Sequence, residues 1–409
     1  MNDCDRYALI GLGVMLSVSP VQAAVSLPVQ RLDHVHVNTI LQQQGEYHLA
    51  RGVFEVDGTI VLPTGARLSG AGRGRTLLRL QAGVNQNLIE SEGFAQLTGT
   101  SQLQAAPSAI SIVDLTLDGG YLSTDWADPT VALGNQKGHC IALYARQYDI
   151  DVEANNCPQN MLYSEGQGVR THVEVDSNIR ITGRVSGESC VVFRGPADIL
   201  LEKAVLGNCG YRPPQLATAT TYPAYDGVVI DQTPPYQGTL EIGFLHVYGV
   251  FNGYGLKTLG NPRLKASHVV SESNRGGIWL SEWTWGAMSL VDIHANGFCR
   301  MSATRYCQPA LPYAGLRIDS RHGFTIGHAM IMRMPQSLDS GEAIVLNGRG
   351  NSVQAQWIDV THNAPTTPQI RLLGQHNELH LTGEGVPIAL IDWPDHLSNR
   401  LTMSSVVQP

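Results

Sequence analysis

No window of this 409-residue chain carries sustained helical periodicity, which excludes a helical fold and leaves an almost all-β one. No apolar run is long enough to cross a bilayer. The longest, Ala8 to Val18, has the length of a signal-peptide core instead. Aromatic residues make up only 7% of the chain, so a core must be built mainly from the small aliphatics within the 43% hydrophobic fraction. There is no excess of basic charge either. The formal net charge is −8, and residues 1–23 carry Asp3, Asp5 and Arg6 (a net −1), so a processed chain would carry −7. That balance excludes non-specific binding to nucleic acid, which needs a basic surface. It leaves room for an acidic polymer in a locally cationic groove.

What the sequence does have is a short repeated motif: a glycine, alternating aliphatics and a polar exit. It reads Gly227-Val-Val-Ile-Asp, Gly255-Leu-Lys-Thr-Leu, Gly277-Ile-Trp-Leu-Ser and Gly315-Leu-Arg-Ile-Asp, with weaker copies at Gly138, Ser189, Ala343, Gln369 and Pro387. No single unit can bury a hydrophobic face, so the units must stack. Stacked short strands at this spacing predict a parallel β-helix, a single-stranded solenoid with loop insertions. A second register supports it: Asn156, Asn208, Asn252, Asn274, Asn296 and Asn363 each end an alternating strand, where asparagine suits a left-handed corner. The expected organisation is a signal peptide over 1–23, a lead-in or cap over 24–50, the solenoid over 51–395 and a tail over 396–409. Val21-Gln22-Ala23 supplies the small-residue cleavage site, and the mature chain is expected to be secreted or periplasmic, with no membrane segment.

The stretch from Gly52 to Leu78, with its Pro63-Thr-Gly65 turn and Gly70-Ala-Gly-Arg-Gly-Arg-Thr segment, resembles the first coil of the pectin-lyase-like right-handed β-helix superfamily. The later Gly-Ile-x-Leu copies are similar to that superfamily's repeat. A phosphate-loop reading of the glycine-rich segment fails because Thr76-Leu-Leu-Arg-Leu continues as a strand rather than a helix. The resemblance implies a substrate cleft along the Gly-start strands. It does not choose a reaction, since the polygalacturonase, pectate-lyase and alginate-epimerase motifs are absent.

Alternation puts the residues at +1 and +3 of each copy inward and those at +2 and +4 outward. Lys257, Trp279 and Arg317 then form one outward column, with Asp231 and Asp319 in the neighbouring column. Trp279 offers a flat face to a sugar ring, and Lys257, Arg317 and the nearby Arg275 offer cations to a uronate carboxylate. The first reading is therefore a polysaccharide lyase acting by β-elimination, with Lys257 or a nearby tyrosine as base and Arg317 as neutralising cation; a lysine beside other cations titrates lower. The alternative is a glycoside hydrolase. It needs two carboxylates about 5–9.5 Å apart, which Glu282 and Asp319 fit, whereas Asp231 and Asp319 lie three coils, roughly 14 Å, apart. A non-catalytic glycan-binding solenoid and an epimerase complete the set. Trp283, Trp285, Glu272, His294 and Arg194 are further substrate-binding candidates.

His246 and His268 look like matching positions on adjacent coils, but two histidines do not make a metal site. No metal ligand set is assigned, and no cofactor beyond the calcium that the superfamily's lyases often use. The expected partner is a polysaccharide, and the chain a monomer or homotrimer. Setting aside Cys4 leaves six cysteines and 15 pairings. Cys299 and Cys307, flanking a polar insertion, are the best disulfide candidates. Cys157 and Cys209 mark matching corners, and Cys140 and Cys190 read as buried free thiols.

Overall fold

The computed structural model describes residues 28–404 except 101, 103–104, 125–130, 167–176, 196–197, 212–223, 235–237, 295–312, 334–341, 360–368, 384–390 and 395–397. Among the described residues, two long sheets run the length of the molecule, one of 16 strands and one of 12. The chain alternates between them, and every strand pairs in parallel with the strand one coil away. The architecture is a parallel β-helix. Inward positions are filled by small aliphatics from both sheets, such as Val228, Ile230, Leu256 and Ile278 from the shorter and Leu245, Val247, Val269 and Val291 from the longer, all nearly or fully buried in one continuous core. Thr76–Leu80 is a strand, as the sequence required.

Pairing extends beyond the 51–395 span drawn from the repeat. Val29–Leu32 adds to Gly52–Val56, and Arg400–Ser404 adds to Glu378–Gly383. Between the first strands lies a helix, His34–Gln44, which buries Val37 and Leu41 in the core. Its side chains are mostly polar, which is why periodicity did not reveal it.

The repeat glycine has a steric cause. Gly227, Gly255, Gly277 and Gly315 stack in register one coil apart. A Cβ on Gly227 would come within 2.5 Å of the Gly255 carbonyl oxygen, and one on Gly277 within 2.0 Å of the Gly315 oxygen. Each copy begins where the next coil passes too close for a side chain.

In two of the earlier coils cysteine takes this stacked position. Cys140 and Cys190 are not free thiols: they bond to Cys157 and Cys209, 17 and 19 residues on. Each bridge closes one coil from the start of a short-sheet strand to the residue after a corner asparagine. Those corners, Asn156 and Asn208, are left-handed as expected, with φ of 56° in both. At the Asn274 corner the left-handed residue is Ser273 instead. Buried Asn274 accepts from Val250 N–H and donates to the Val247 carbonyl across the coil. The Cys299 and Cys307 pair, with Asn296 and Asn363, lies outside the described residues. Closing loops of this length restricts the unfolded chain by about 3 kcal/mol each. Reducing the protein, or the Cys140→Ser/Cys157→Ser change, is therefore expected to lower the thermal unfolding midpoint. An unchanged midpoint under reductant would contradict the pairing.

Candidate functional site

The outward column exists as predicted. Lys257 lies opposite Trp279, and Trp279 opposite Arg317, in the pairing of Tyr254–Gly260, Gly276–Leu280 and Ala314–Ile318. The two cations bracket one indole: Lys257 Nζ is 4.7 Å and the Arg317 guanidinium carbon 5.5 Å from the ring centroid. Such contacts are worth about 0.5–2 kcal/mol each, and they fix both cations beside a flat apolar face.

The neighbours of the column are what sequence reasoning missed. Lys257 Nζ is 3.6 Å from Asp226, so the charge beside it is a carboxylate rather than another cation. Asp226 is buried and accepts the Tyr254 backbone N–H at 2.7 Å. Burial pushes its carboxyl above the usual range, while Lys257 and the Tyr254 amide pull it back. Arg275 is buried over the Tyr313 ring at 5.2 Å, and burial lowers its otherwise very high pKa. Tyr313 in turn packs against Tyr254, and Tyr254 against Trp279, with ring centroids 5.3 and 5.5 Å apart. Burial pushes the Tyr254 phenol up to about 12 and raises Tyr313 as well, so both hold their protons at neutral pH. Asp226 and Tyr254 each directly precede a repeat glycine, and Arg275 and Tyr313 stand two places before theirs. That position is the signal a closer reading could have used.

Asp319 is committed. One oxygen accepts from Trp279 Nε1 and Arg317 Nε, both at 2.8 Å, and the other from Asn347 Nδ2 at 3.2 Å. Glu282 shares a cleft of about 590 Å³ with Asp319, but it is ion-paired to Arg321. Asp231 is three strands from Asp319 and faces Arg194, Nε to Oδ2 3.3 Å. Arg194 also approaches Glu165 at 3.7 Å. Glu165, fully buried, accepts from the Gly99 N–H at 2.6 Å and from Tyr163 OH. With Phe94 packed edge-on against Tyr163, these contacts hold the segment around residues 94–100 over the early coils.

Trp283 and Trp285 sit on the corner after the column and are 45% and 42% exposed, each against an arginine (Arg321 and Arg263). Glu272 and His294 are not beside the column. They face each other in register on the longer sheet, where Glu272 Oε2 is 3.1 Å from His246 Nε2. His268 is not in register with His246: it pairs opposite Phe244 and contacts Asp292 at 2.8 Å. Among the described residues, one group could gather an ion, Asp33, His34 and Asp57. It stands at the positive N-terminus of the lead-in helix, where Asp33 caps Val35 and Asp57 accepts from His34, so its oxygens already serve the cap.

A titratable group lies under the covered end. His139 stacks on Tyr163 at 5.0 Å, and its Nδ1 accepts the Asn160 N–H at 3.3 Å. Burial pushes its imidazole down from 6.5 to about 4. Because the folded state resists protonation and the unfolded state does not, stability is full above about pH 6.5 and is lost as pH falls toward 4, by about 2–3 kcal/mol. Unfolding midpoints at pH 7 and pH 4.5 should differ less in His139→Gln than in the wild type. An equal difference would contradict the neutral buried ring.

The described helices include none long and apolar enough to cross a membrane. No protein-family model and no curated protein matches the sequence. Solved structures do match. The A-module of the mannuronan C-5 epimerase AlgE6 of Azotobacter vinelandii is 15% identical with a TM-score of 0.52, over 94% of this chain and 98% of that one. This is a right-handed parallel β-helix. The corresponding AlgE4 module is 14% identical at a TM-score of 0.46, over 94% and 98% of the two chains. A DFA-IIIase from Arthrobacter chlorophenolicus A6 is 13% identical at 0.42, over 93% and 100%. At these identities the likeness establishes the solenoid alone, so the chemistry of this β-helix must come from its own groove.

Proposed function

We propose that this chain is a carbohydrate-active enzyme that binds an acidic polysaccharide in the groove of its shorter sheet and cleaves it by β-elimination. The observation that carries the reading is the pair of cations set on either side of the Trp279 indole, with Arg275 close by. A uronate bound across the outer end of this column would meet Lys257 and Arg317 on either side of Trp279, and the Arg317 charge would stabilise the enolate that forms on loss of the C5 proton. Lys257 takes that proton in its neutral form, its own proton having passed to Asp226, whose carboxyl burial makes harder to ionise. The C4–O bond breaks, C4=C5 forms, and a neutral phenol, Tyr254 or Tyr313, gives its proton to the leaving oxygen. Asp226 positions Lys257. The name of the AlgE6 neighbour, a mannuronan C-5 epimerase, supports an acidic glycan and the same C5 proton.

The hydrolase alternative loses ground because Asp319 and Glu282 are both engaged by cations. Epimerisation begins with the same proton abstraction but returns a proton instead of expelling the C4 oxygen. Incubating the protein with alginate and polygalacturonate, reading ultraviolet absorbance and reducing ends together, separates the three: elimination raises both, hydrolysis raises reducing ends alone, and epimerisation raises neither.

A further inference from the structure

A second cleft lies away from this groove. It lies on the outward face of the longer sheet, has a volume of about 920 Å³, and is lined by Glu55, Arg79, Asp118, Glu153, Arg184 and Tyr248 among others. From Gly52–Val56 to Thr239–Tyr248 it crosses seven successive strands, which at about 4.8 Å per step is a straight run of roughly 29 Å. We propose that this cleft is a second glycan-binding site, for a neutral oligosaccharide stretch, separate from the proposed catalytic groove.

The placement of Tyr248 is the key observation. Gly207 lies opposite Tyr248 in register, and a Cβ on Gly207 would meet Tyr248 ring carbons at 2.5 Å. The missing side chain therefore lets the ring lie down along the sheet instead of standing away from it. Its hydroxyl reaches past the Gly207 strand to the coil beyond it and accepts from Arg184 Nε at 3.0 Å. The ring is pinned at one end, backed by the Gly207 main chain, and turns a flat face to the cleft. A sugar ring stacks on such a surface.

The rest of the lining suits hydroxyl groups. Arg79 is paired with Asp118 at 2.8 Å, Asn155 donates to Glu153 at 2.9 Å, and Arg184 N–H donates to Asn155 Oδ1 at 2.9 Å. These contacts fix the side chains in place, yet each carboxylate and guanidinium keeps further hydrogen-bonding capacity. Three carboxylates against two guanidiniums give the named lining a net charge of −1, which disfavours an acidic glycan and nucleic acid alike. A peptide strand would need an unpaired sheet edge, and the strands across the cleft are paired on both sides.

The test is affinity electrophoresis of the protein in gels containing mixed-linkage glucan, galactomannan or arabinoxylan, with polygalacturonate as the acidic control. At least one neutral gel should retard the protein. Tyr248→Ala should weaken that retardation about tenfold, Tyr248→Phe should keep most of it, and Lys257→Ala should leave it unchanged. Tyr248→Ala should also keep the unfolding midpoint and any activity on acidic glycan. Mobility unaffected by all three neutral polymers, or retardation that survives Tyr248→Ala, would overturn the second site. Retardation lost with Lys257→Ala instead would move neutral-glycan binding to the proposed catalytic groove and overturn it equally. Because the readout is binding to neutral polymer, it stands or falls independently of the elimination chemistry.

Discussion

Lys257→Ala is expected to lower turnover of an acidic polysaccharide by about 10²–10⁴-fold, the range that a positioned general base supplies. The side chain lies on the solvent face of Tyr254–Gly260, so its loss removes no core contact. It does remove the charge facing Asp226 at 3.6 Å, in a place where burial already holds that carboxyl above its usual range. Leaving a buried carboxylate unpaired costs about 3–5 kcal/mol, so the single variant will be less stable unless Asp226 takes up a proton. The double variant Lys257→Ala/Asp226→Asn separates the two effects: it should recover stability and remain inactive. If the double variant recovers activity too, Lys257 is a structural counter-ion and not a base. Arg317→Ala should cost about 10²–10³-fold by the same reasoning applied to a charge-stabilising donor. Arg317→Lys should restore only part, since Nε also holds Asp319.

Gly277→Ala should be among the most destabilising single-methyl changes in the molecule, by about 3 kcal/mol or more. The added Cβ would stand 2.0 Å from the Gly315 carbonyl oxygen and 3.0 Å from an Ile293 methyl. The oxygen belongs to main chain held by pairing on both sides, so it cannot rotate away. Gly315→Ala provides the comparison, because there the nearest atom is 2.9 Å away. Unfolding midpoints should rank wild type above Gly315→Ala and Gly315→Ala well above Gly277→Ala. The reverse order, or no difference, would mean that the stacked glycines serve chain flexibility rather than close approach.

These glycines explain why so much of the fold was legible in the sequence. A solenoid repeats one steric problem at every coil, and the chain answers it with the same residue, so Gly227, Gly255, Gly277 and Gly315 announce both the strand and its register. Period-2 alternation then orders the columns, which is how Lys257, Trp279 and Arg317 align from the sequence alone. What the alternation does not carry is the residue just outside the strand. Asp226, Tyr254, Arg275 and Tyr313 converge because consecutive coils enter the shorter sheet at the same place, and only Arg275 drew notice, for its charge alone. The cysteines were misread for a related reason. Cys140 and Cys190 occupy the glycine column, so they look like inward-facing core residues, and their partners lie across the coil at corners that strand periodicity does not place. The pairing Glu272–His294 on the other sheet shows the converse: polar residues close in sequence to the column can face away from it. Tyr248 and Gly207 were passed over because a tyrosine lying flat across a glycine leaves no local pattern.

The most direct test of the central proposal is ultraviolet absorbance of the protein incubated with alginate and with polygalacturonate, with reducing ends counted in the same samples. The account predicts absorbance rising in step with reducing ends on at least one of the two, and falling at least a hundredfold in Lys257→Ala/Asp226→Asn. Reducing ends without absorbance, or activity that survives in the double variant, would contradict elimination in this groove.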